Sequence, residues 1–296
     1  MTPEPKHIRE VLHTYLENLA RPRTFGRMES EKIGIGVITC NRQGFFERCI
    51  RSLPTGHTTV VINDGKPYAE EAYPPWVTKV TQHEYNKGVG PAKNEAMKFL
   101  YEHKCDHIFL LEDDIEIVDP SVFDLYIETA KRSGIYHLNY GGHGGGNRDK
   151  DGNVVVRKTV ETNGTKVDLY RNILGAFSYY FKGIVKHVGY MDEKFHNAWE
   201  HVDHTQQCIA KGLHPPFWWF ADAHRSYDYI RDIKANHEGS EIRKDQRNWM
   251  ENLQRGAEYY KSKWGWAPTE TVDTGEEYAV NQVKLIAERY ARIPAV

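Results

Sequence analysis

The chain has 296 residues, 40% hydrophobic and 27% charged, which is ordinary for a globular protein and long enough to bury a full core. A formal net charge of −2 leaves no global basic field to hold a polyanion, so nucleic acid enters only as an acceptor substrate met through local basic pairs. No apolar run approaches the roughly 18–20 residues that span a bilayer, and MTPEPKHIRE lacks a signal core; a cytoplasmic protein is expected, at most peripheral to the inner membrane face. Cys40, Cys49, Cys105 and Cys208 show no CxxC spacing and fit a reducing compartment.

In chain order, Ile8, Val11, Leu12, Tyr15, Leu16 and Leu19 recur at helical spacing over residues 6–20. They predict an amphipathic helix that packs on the domain or on a second copy of the chain. The β-branched run 33–39 (IGIGVIT) predicts a strand buried on both faces, followed by a helix around Phe45, Phe46, Cys49 and Ile50. Further strands are expected at 57–63, at 78–82 and at 107–111. Residues 90–102 read as a helix with Pro91 in its first turn, where the missing N–H costs nothing. A helix capped by Ser121 is expected over 121–132.

Strands alternating with helices through the first 140 residues imply βαβ units and a mainly parallel sheet, whose ligands sit at the carboxyl ends of the strands. Thr39-Cys40-Asn41-Arg42, Asn63-Asp64-Gly65 and Glu112-Asp113-Asp114 each fall at such an end. Beyond 140 the pattern changes. The loop GGHGGGN (141–147) follows the fifth strand and lacks GxxxxGK[ST], so a Walker or Rossmann reading fails; a mobile flap and an inert loop are equal readings. Hairpin arms at 153–157 and 165–169 flank the turn signal Asn163-Gly164. Then come the aromatic run 176–181, a helix near 203–212, a strand within 218–224 and a long helical stretch over 241–263. A last amphipathic helix carries Val283, Ile286 and Tyr290.

The acidic triplet is the sharpest chemical signal. In an extended segment Glu112 and Asp114 point to one side and Asp113 to the other. Three carboxylates after the buried run Ile108–Leu111 repel one another unless a cation is present, and hard oxygen ligands suit Mn²⁺ or Mg²⁺. A solvated strand end is the competing reading.

Six segments, in order over roughly residues 33–230, resemble the inverting family 2 glycosyltransferases with a GT-A fold. ITCNR (38–42) is similar to that family's PTYNR, and VINDG (61–65) to V-x-D-D-G with Asn63 replacing an aspartate. NKGVGPAKNEA (86–96) is similar to N-x-G-x-x-x-A-R-N-x-G with Lys93 in the arginine position, and LLEDD (110–114) to the D-x-D site. VGYMDEKF (188–195) resembles V-G-x-F-D-E-x-F, and WEHVDHTQQCIAKG (199–212) resembles the acceptor-side W-G-x-E-D-x-D.

The resemblance implies an α/β fold of the GT-A, nucleotide-diphospho-sugar transferase kind: a mainly parallel sheet flanked by helices. It also implies transfer with inversion from a UDP-sugar to a glycan or other hydroxyl-bearing acceptor, assisted by Mn²⁺ or Mg²⁺. Thr39, Asn41, Arg42, Asn63, Asp64 and Lys93 would contact the nucleotide, with Glu112 and Asp113 beside it. Asp114 would be the metal ligand, supported by Glu112 and by a late histidine, His224 first and His237 second. Glu200, His201 and Asp203, in that order, are candidates for the base; Asp203 reads equally as a helix cap. The expected organisation is a helical extension (1–30), a catalytic domain (31–235, with a nucleotide half 31–140 and an acceptor half 141–235) and a helical extension (236–296). The terminal helices are candidate dimer faces. Competing functions are glycosylation of hydroxylated DNA bases, nucleotidyl transfer, and an inactive sugar-binding module.

Overall fold

The structure, a computed structural model, describes residues 31–233 and 244–292; the expected helix at 6–20, His237 and Arg243 lie outside them. The first half runs β1 (Ile33–Thr39), α1 (Gln43–Arg51), β2 (Thr58–Asn63), β3 (Lys79–Gln82), α2 (Val89–Glu102), β4 (His107–Glu112), β5 (Ile115–Ile117), α3 (Val122–Ser133) and β6 (His137–Asn139). The second half runs β7 (Lys158–Thr162), β8 (Thr165–Tyr170), β9 (Phe177–Phe181), α4 (Lys182–Val188), α5 (Glu200–Ala210), β10 (Phe220–Ala223), β11 (Ile230–Asp232), α6 (Gln246–Trp264) and α7 (Glu276–Tyr290).

The main sheet has the order β3-β2-β1-β4-β9-β6, with β3, β2, β1 and β4 parallel and β9 antiparallel to both its neighbours. It is the mixed α/β architecture with a mostly parallel sheet flanked by helices that the alternating pattern predicts. The run IGIGVIT works as an inner strand because its glycines admit α2 directly onto the backbone. A Cβ on Gly34 would sit 2.7 Å from Cys105 Sγ, and one on Gly36 2.8 Å from Ala96 Cβ. Aromatic side chains fill the other side: Phe109 packs against Phe123, Phe177 and Tyr179 with centroids 4.8–5.6 Å apart.

Three details differ from the sequence reading. The first hairpin arm is β7, not 153–157, while the expected arm at 165–169 falls within β8; Asn163 and Gly164 turn the hairpin, both at positive φ (48° and 70°). Ser121 makes no side-chain cap and instead donates to Asp119 Oδ1 (2.7 Å). Finally, β5 and β11 pair antiparallel, each too short to leave a periodic signal, and fold residues 230–233 back onto the acidic triplet. The Ile233 N–H donates to the Asp114 carbonyl (2.8 Å). The buried face of α7 (Ala279, Val283, Ile286, Tyr290) closes the molecule against α3 and β7. No helix among the described residues is long and apolar enough to cross a membrane.

Two core histidines make stability depend on pH. His214 Nδ1 bonds the Pro215 carbonyl (2.9 Å) while Nε2 accepts the Ala221 N–H (3.2 Å), an arrangement that requires the neutral ring. Burial lowers both His214 and His107 to about 4. The unfolded chain takes up these protons near pH 6.5 and the folded chain does not, so stability is full above about 6.5 and falls towards about 4. Each ring contributes a slope of up to about 1.4 kcal/mol per pH unit. Asp113 and Asp222, which burial raises to about 7, shift stability the opposite way over this range, so the His214 share is read as a difference. Urea denaturation at pH 7, 6 and 5 should give a smaller rise of stability with pH in His214→Asn than in the unaltered chain. An unchanged slope in the variant would contradict the assignment.

Candidate active site

The carboxyl ends of β1, β2 and β4 meet at one sheet edge, as the parallel topology requires. At β4 the extended chain stops at Glu112; Asp113 and Asp114 form a turn into β5. The expected alternation therefore fails, because two-residue periodicity holds only in a strand. Glu112 points to α2, while Asp113 and Asp114 both take the Arg42 guanidinium. Asp113 does not turn away from the edge. It is fully buried, pairs with Arg42 and accepts from Thr39 Oγ1 (2.6 Å). Burial pushes Asp113 up to about 7 against the pull of Arg42. Arg42 in turn overcomes its own burial through Asp113 and Asp114 and stays charged. Asp114 Oδ2 lies 3.3 Å from Arg42, whereas its buried Oδ1 has no hydrogen-bond partner.

A second cluster joins the two halves of the domain. Lys93 on α2 is 1% exposed and donates to Glu112 Oε1 (2.7 Å), the Gly175 carbonyl (3.0 Å) and Glu200 Oε1 (3.2 Å). Burial opposes the Lys93 charge, but Glu112 and Glu200 outweigh it and raise its pKa. Burial alone would raise Glu200; Lys93, then His201, instead hold it well below the usual carboxylate range. His201 Nδ1 lies 3.0 Å from Glu200 Oε1 and Nε2 3.2 Å from the Ile173 carbonyl. Gly175 (φ 73°) makes the approach possible, since a Cβ there would lie 2.8 Å from His201 Cγ.

His143, from the loop 141–147, is the residue that sequence reasoning missed. Its Nδ1 bonds Asp232 Oδ1 (2.8 Å). Burial disfavours its charge, yet Asp114 and Asp232 raise it to about 9, so the ring is cationic at neutral pH. The loop is pinned, not loose: Gly144 N–H donates to Asp232 Oδ2 (2.9 Å), and Arg148 Nη2 and Nε donate to the Gly142 and Gly144 carbonyls (2.7 and 2.9 Å). The histidine inside a glycine run was the available signal; its acidic partner lies on a strand too short to foresee.

Other expected residues do different work. Asp64 is buried and takes His83 Nδ1 (2.6 Å), Asn86 Nδ2 (2.9 Å) and the N–H groups of Lys87 and Gly88 (2.8 and 2.9 Å), so it shapes the loop entering α2. The Asn63 amide donates to the Lys66 carbonyl (2.9 Å) and Tyr73 Oη (3.1 Å), and Asn41 Oδ1 accepts the Lys66 N–H (2.8 Å). Asp203 neither caps α5, which starts at Glu200, nor joins the Lys93 cluster. Its carboxylate binds Lys263 Nζ (2.8 Å) and Trp264 Nε1 (2.7 Å) of α6. His224 pairs with Asp168 (2.9 Å) on β8, while the histidine whose charge Asp114 favours is His143.

No protein-family profile matches the chain, and no curated protein does. Among solved structures it is similar to the mannosyltransferase PcManGT from Pyrobaculum calidifontis, in complex with GDP-Man and Mn²⁺. That match has 12% identity over 63% of this chain and 56% of that one, with a TM-score of 0.42. It is similar to S. aureus TarS 1–349 in complex with UDP-GlcNAc, at 15% identity over 85% and 79%, TM-score 0.46. A third, GalNAc-T7 with UDP, GalNAc and Mn²⁺, shares 9% identity over 99% and 64%, TM-score 0.42. The chain spans less than two thirds of the first and third of these. Each likeness is partial, and residue roles here rest on the chain's own side chains.

Lys93→Met should leave two carboxylates in one buried site without their cation and cost about 3–5 kcal/mol by chemical denaturation. Adding Glu200→Gln should recover part of that loss, because the pair is coupled. A cost under about 1 kcal/mol would show that the ammonium is not the tie described.

Proposed function

We propose that this chain transfers a hexosyl or N-acetylhexosaminyl group from a UDP-sugar to a hydroxyl of a glycan-type acceptor, assisted by Mn²⁺ or Mg²⁺. One observation carries the reading. Asp114 Oδ1 is buried without a hydrogen-bond partner among the described residues, just past the carboxyl end of an inner parallel strand, with Arg42 3.3 Å from Oδ2 and the charge of His143 favoured by the same carboxylate. An unmatched carboxylate oxygen suits a hard divalent cation, and fixed cationic donors suit a diphosphate. The six motif resemblances agree with this placement.

Asp114, with Glu112 in support, would hold the cation, which when bound offsets negative charge growing on the leaving diphosphate. Arg42 and His143 present fixed positive charge to the same group, and their own carboxylate partners keep them in place. Lys93 fixes Glu200, and Glu200 orients His201. His201, 14% exposed against 2% for Glu200, would take the proton of the incoming hydroxyl once its Nε2 gives up the Ile173 carbonyl, with Glu200 as the orienting carboxylate on Nδ1. In this reading residues 31–140 supply the donor side, and residues 141–235 add His143, Glu200 and His201. Lys261 and Lys263, which could have met a DNA backbone, are paired to Glu270, Asp192 and Asp203 instead.

Thermal shift with a panel of UDP-sugars, with and without Mn²⁺, should show metal-enhanced stabilisation; no UDP-dependent shift would sink the proposal. Asp114→Ala should abolish metal-dependent UDP release with an unchanged far-UV spectrum. His201→Ala should lower kcat by roughly 100-fold or more. Asp203→Asn, whose carboxylate holds α6, should lower stability and leave the chemical step near its original rate. The reverse ranking of these two would reassign the base.

A further inference from the structure

One polar cluster has no part in the site above. His137 on β6 and His204 and Cys208 on α5 are all fully buried, and one ligand atom from each lies within 4.8 Å of the others. His204 and Cys208 stand four residues apart on one helix, which puts both on the same face, one turn apart. Each imidazole spends one nitrogen on a backbone carbonyl: His137 Nδ1 on Tyr179 (3.1 Å) and His204 Nε2 on Gly189 (3.0 Å). That fixes both tautomers and leaves the other nitrogen with its lone pair facing the cluster. Carbonyl-oriented imidazoles of this kind are what metal-ligating histidines ordinarily have.

The two lone pairs differ in their surroundings. His137 Nε2 accepts from Thr205 Oγ1 (3.0 Å) and Asn139 Nδ2 (3.1 Å). His204 Nδ1 is buried with no hydrogen-bond partner. An orphaned ring nitrogen in a protein core costs about 1–3 kcal/mol, and a bound ion would remove that cost. His214, whose ring centroid lies 6.0 Å from that of His137, is not a ligand, because Pro215 and Ala221 occupy both its nitrogens.

We propose that His137 Nε2, His204 Nδ1 and Cys208 Sγ form a buried structural site for a zinc-type divalent ion, separate from the cation at Asp114. A thiolate with two imidazoles is a borderline-soft donor set, which selects zinc over Mn²⁺ or Mg²⁺. In a tetrahedral zinc site ligand atoms lie roughly 3.3–3.8 Å apart, as bond lengths near 2.0–2.3 Å require, so the cluster closes by no more than about 1.5 Å on binding. The Thr205 and Asn139 hydrogen bonds to His137 give way, and the Cys208 proton leaves to solvent as the thiolate forms. The consequence is positional. The ion would rivet α5 to the sheet edge one to two turns beyond Glu200 and His201, fixing both.

The test uses the full chain. Zinc in the purified protein, measured by mass spectrometry after dialysis against a mild chelator, should approach one per chain and persist in Asp114→Ala. Loading the same chain with Co²⁺ in place of zinc should give a thiolate-to-cobalt charge-transfer band, which oxygen ligands at Asp114 cannot produce. Cys208→Ser should remove the band, and Cys40→Ser should retain it. His204→Ala, which keeps the thiol, should weaken zinc retention by at least ~10-fold, the scale on which even outer-shell partners act. If a variant fails to fold, the cobalt spectrum of the unaltered chain still decides. No band there, no zinc retained, or a band that survives Cys208→Ser overturns the proposal.

Discussion

The arrangement of the candidate site depends on one buried ammonium. Lys93 joins α2, the end of β4, the turn before β9 and the start of α5, four pieces of chain that no local signal would bring together. Removing an ammonium from water costs several kcal/mol, which only close anionic partners can offset. Glu112 and Glu200 are those partners, and the Gly175 carbonyl fills a third donor direction. Such a group tolerates little displacement. If α5 moves, Lys93 loses Glu200; if β4 moves, it loses Glu112. The start of α5 is therefore referenced to the end of β4 through a single charge.

The same rule repeats along the sheet edge. Arg42 faces Asp113 and Asp114, His143 faces Asp232, and His83 bridges Asp64 and Glu95 (2.6 and 2.9 Å). Each of these side chains is held by carboxylates that the protein itself supplies, so polar groups stay oriented without solvent. This explains how a chain with a net charge of only −2 keeps concentrated cations at one edge. It also explains why several expected nucleotide contacts are internal supports. Asp64, with four donors in reach, fixes the loop that enters α2.

What the sequence makes legible follows the range of the interactions. Strands β1, β2 and β4 are readable because buried parallel strands are continuous apolar runs, and the polar residues ending them fall where ligands must sit. The amphipathic stripe of α7 is readable for the same local reason. The Lys93–Glu200 pair spans 107 residues, and no spacing rule reaches that far. Asp113 is misjudged because alternation is applied one residue past the end of the strand. His143 is missed, and His224 named first, because a bare histidine carries no signal until β11, three residues long, supplies Asp232 as its partner.

Helix α5 is where these constraints meet, and its sequence shows why it must. Glu200 and His201 occupy the first turn and face α2 and the Ile173 carbonyl. Asp203 reaches α6 through Lys263 and Trp264, and Thr205 reaches β6 through His137. Successive residues on a helix point about 100° apart, so the six positions from Glu200 to Thr205 suffice to address α2, α6 and β6 on different sides. A helix held from three directions by polar contacts cannot rotate or slide without breaking one of them. The side chain left at its exposed corner, His201, is then oriented by the whole domain and not by its own packing. The placement of one imidazole is thus distributed over residues as distant in sequence as Lys93, His137 and Lys263.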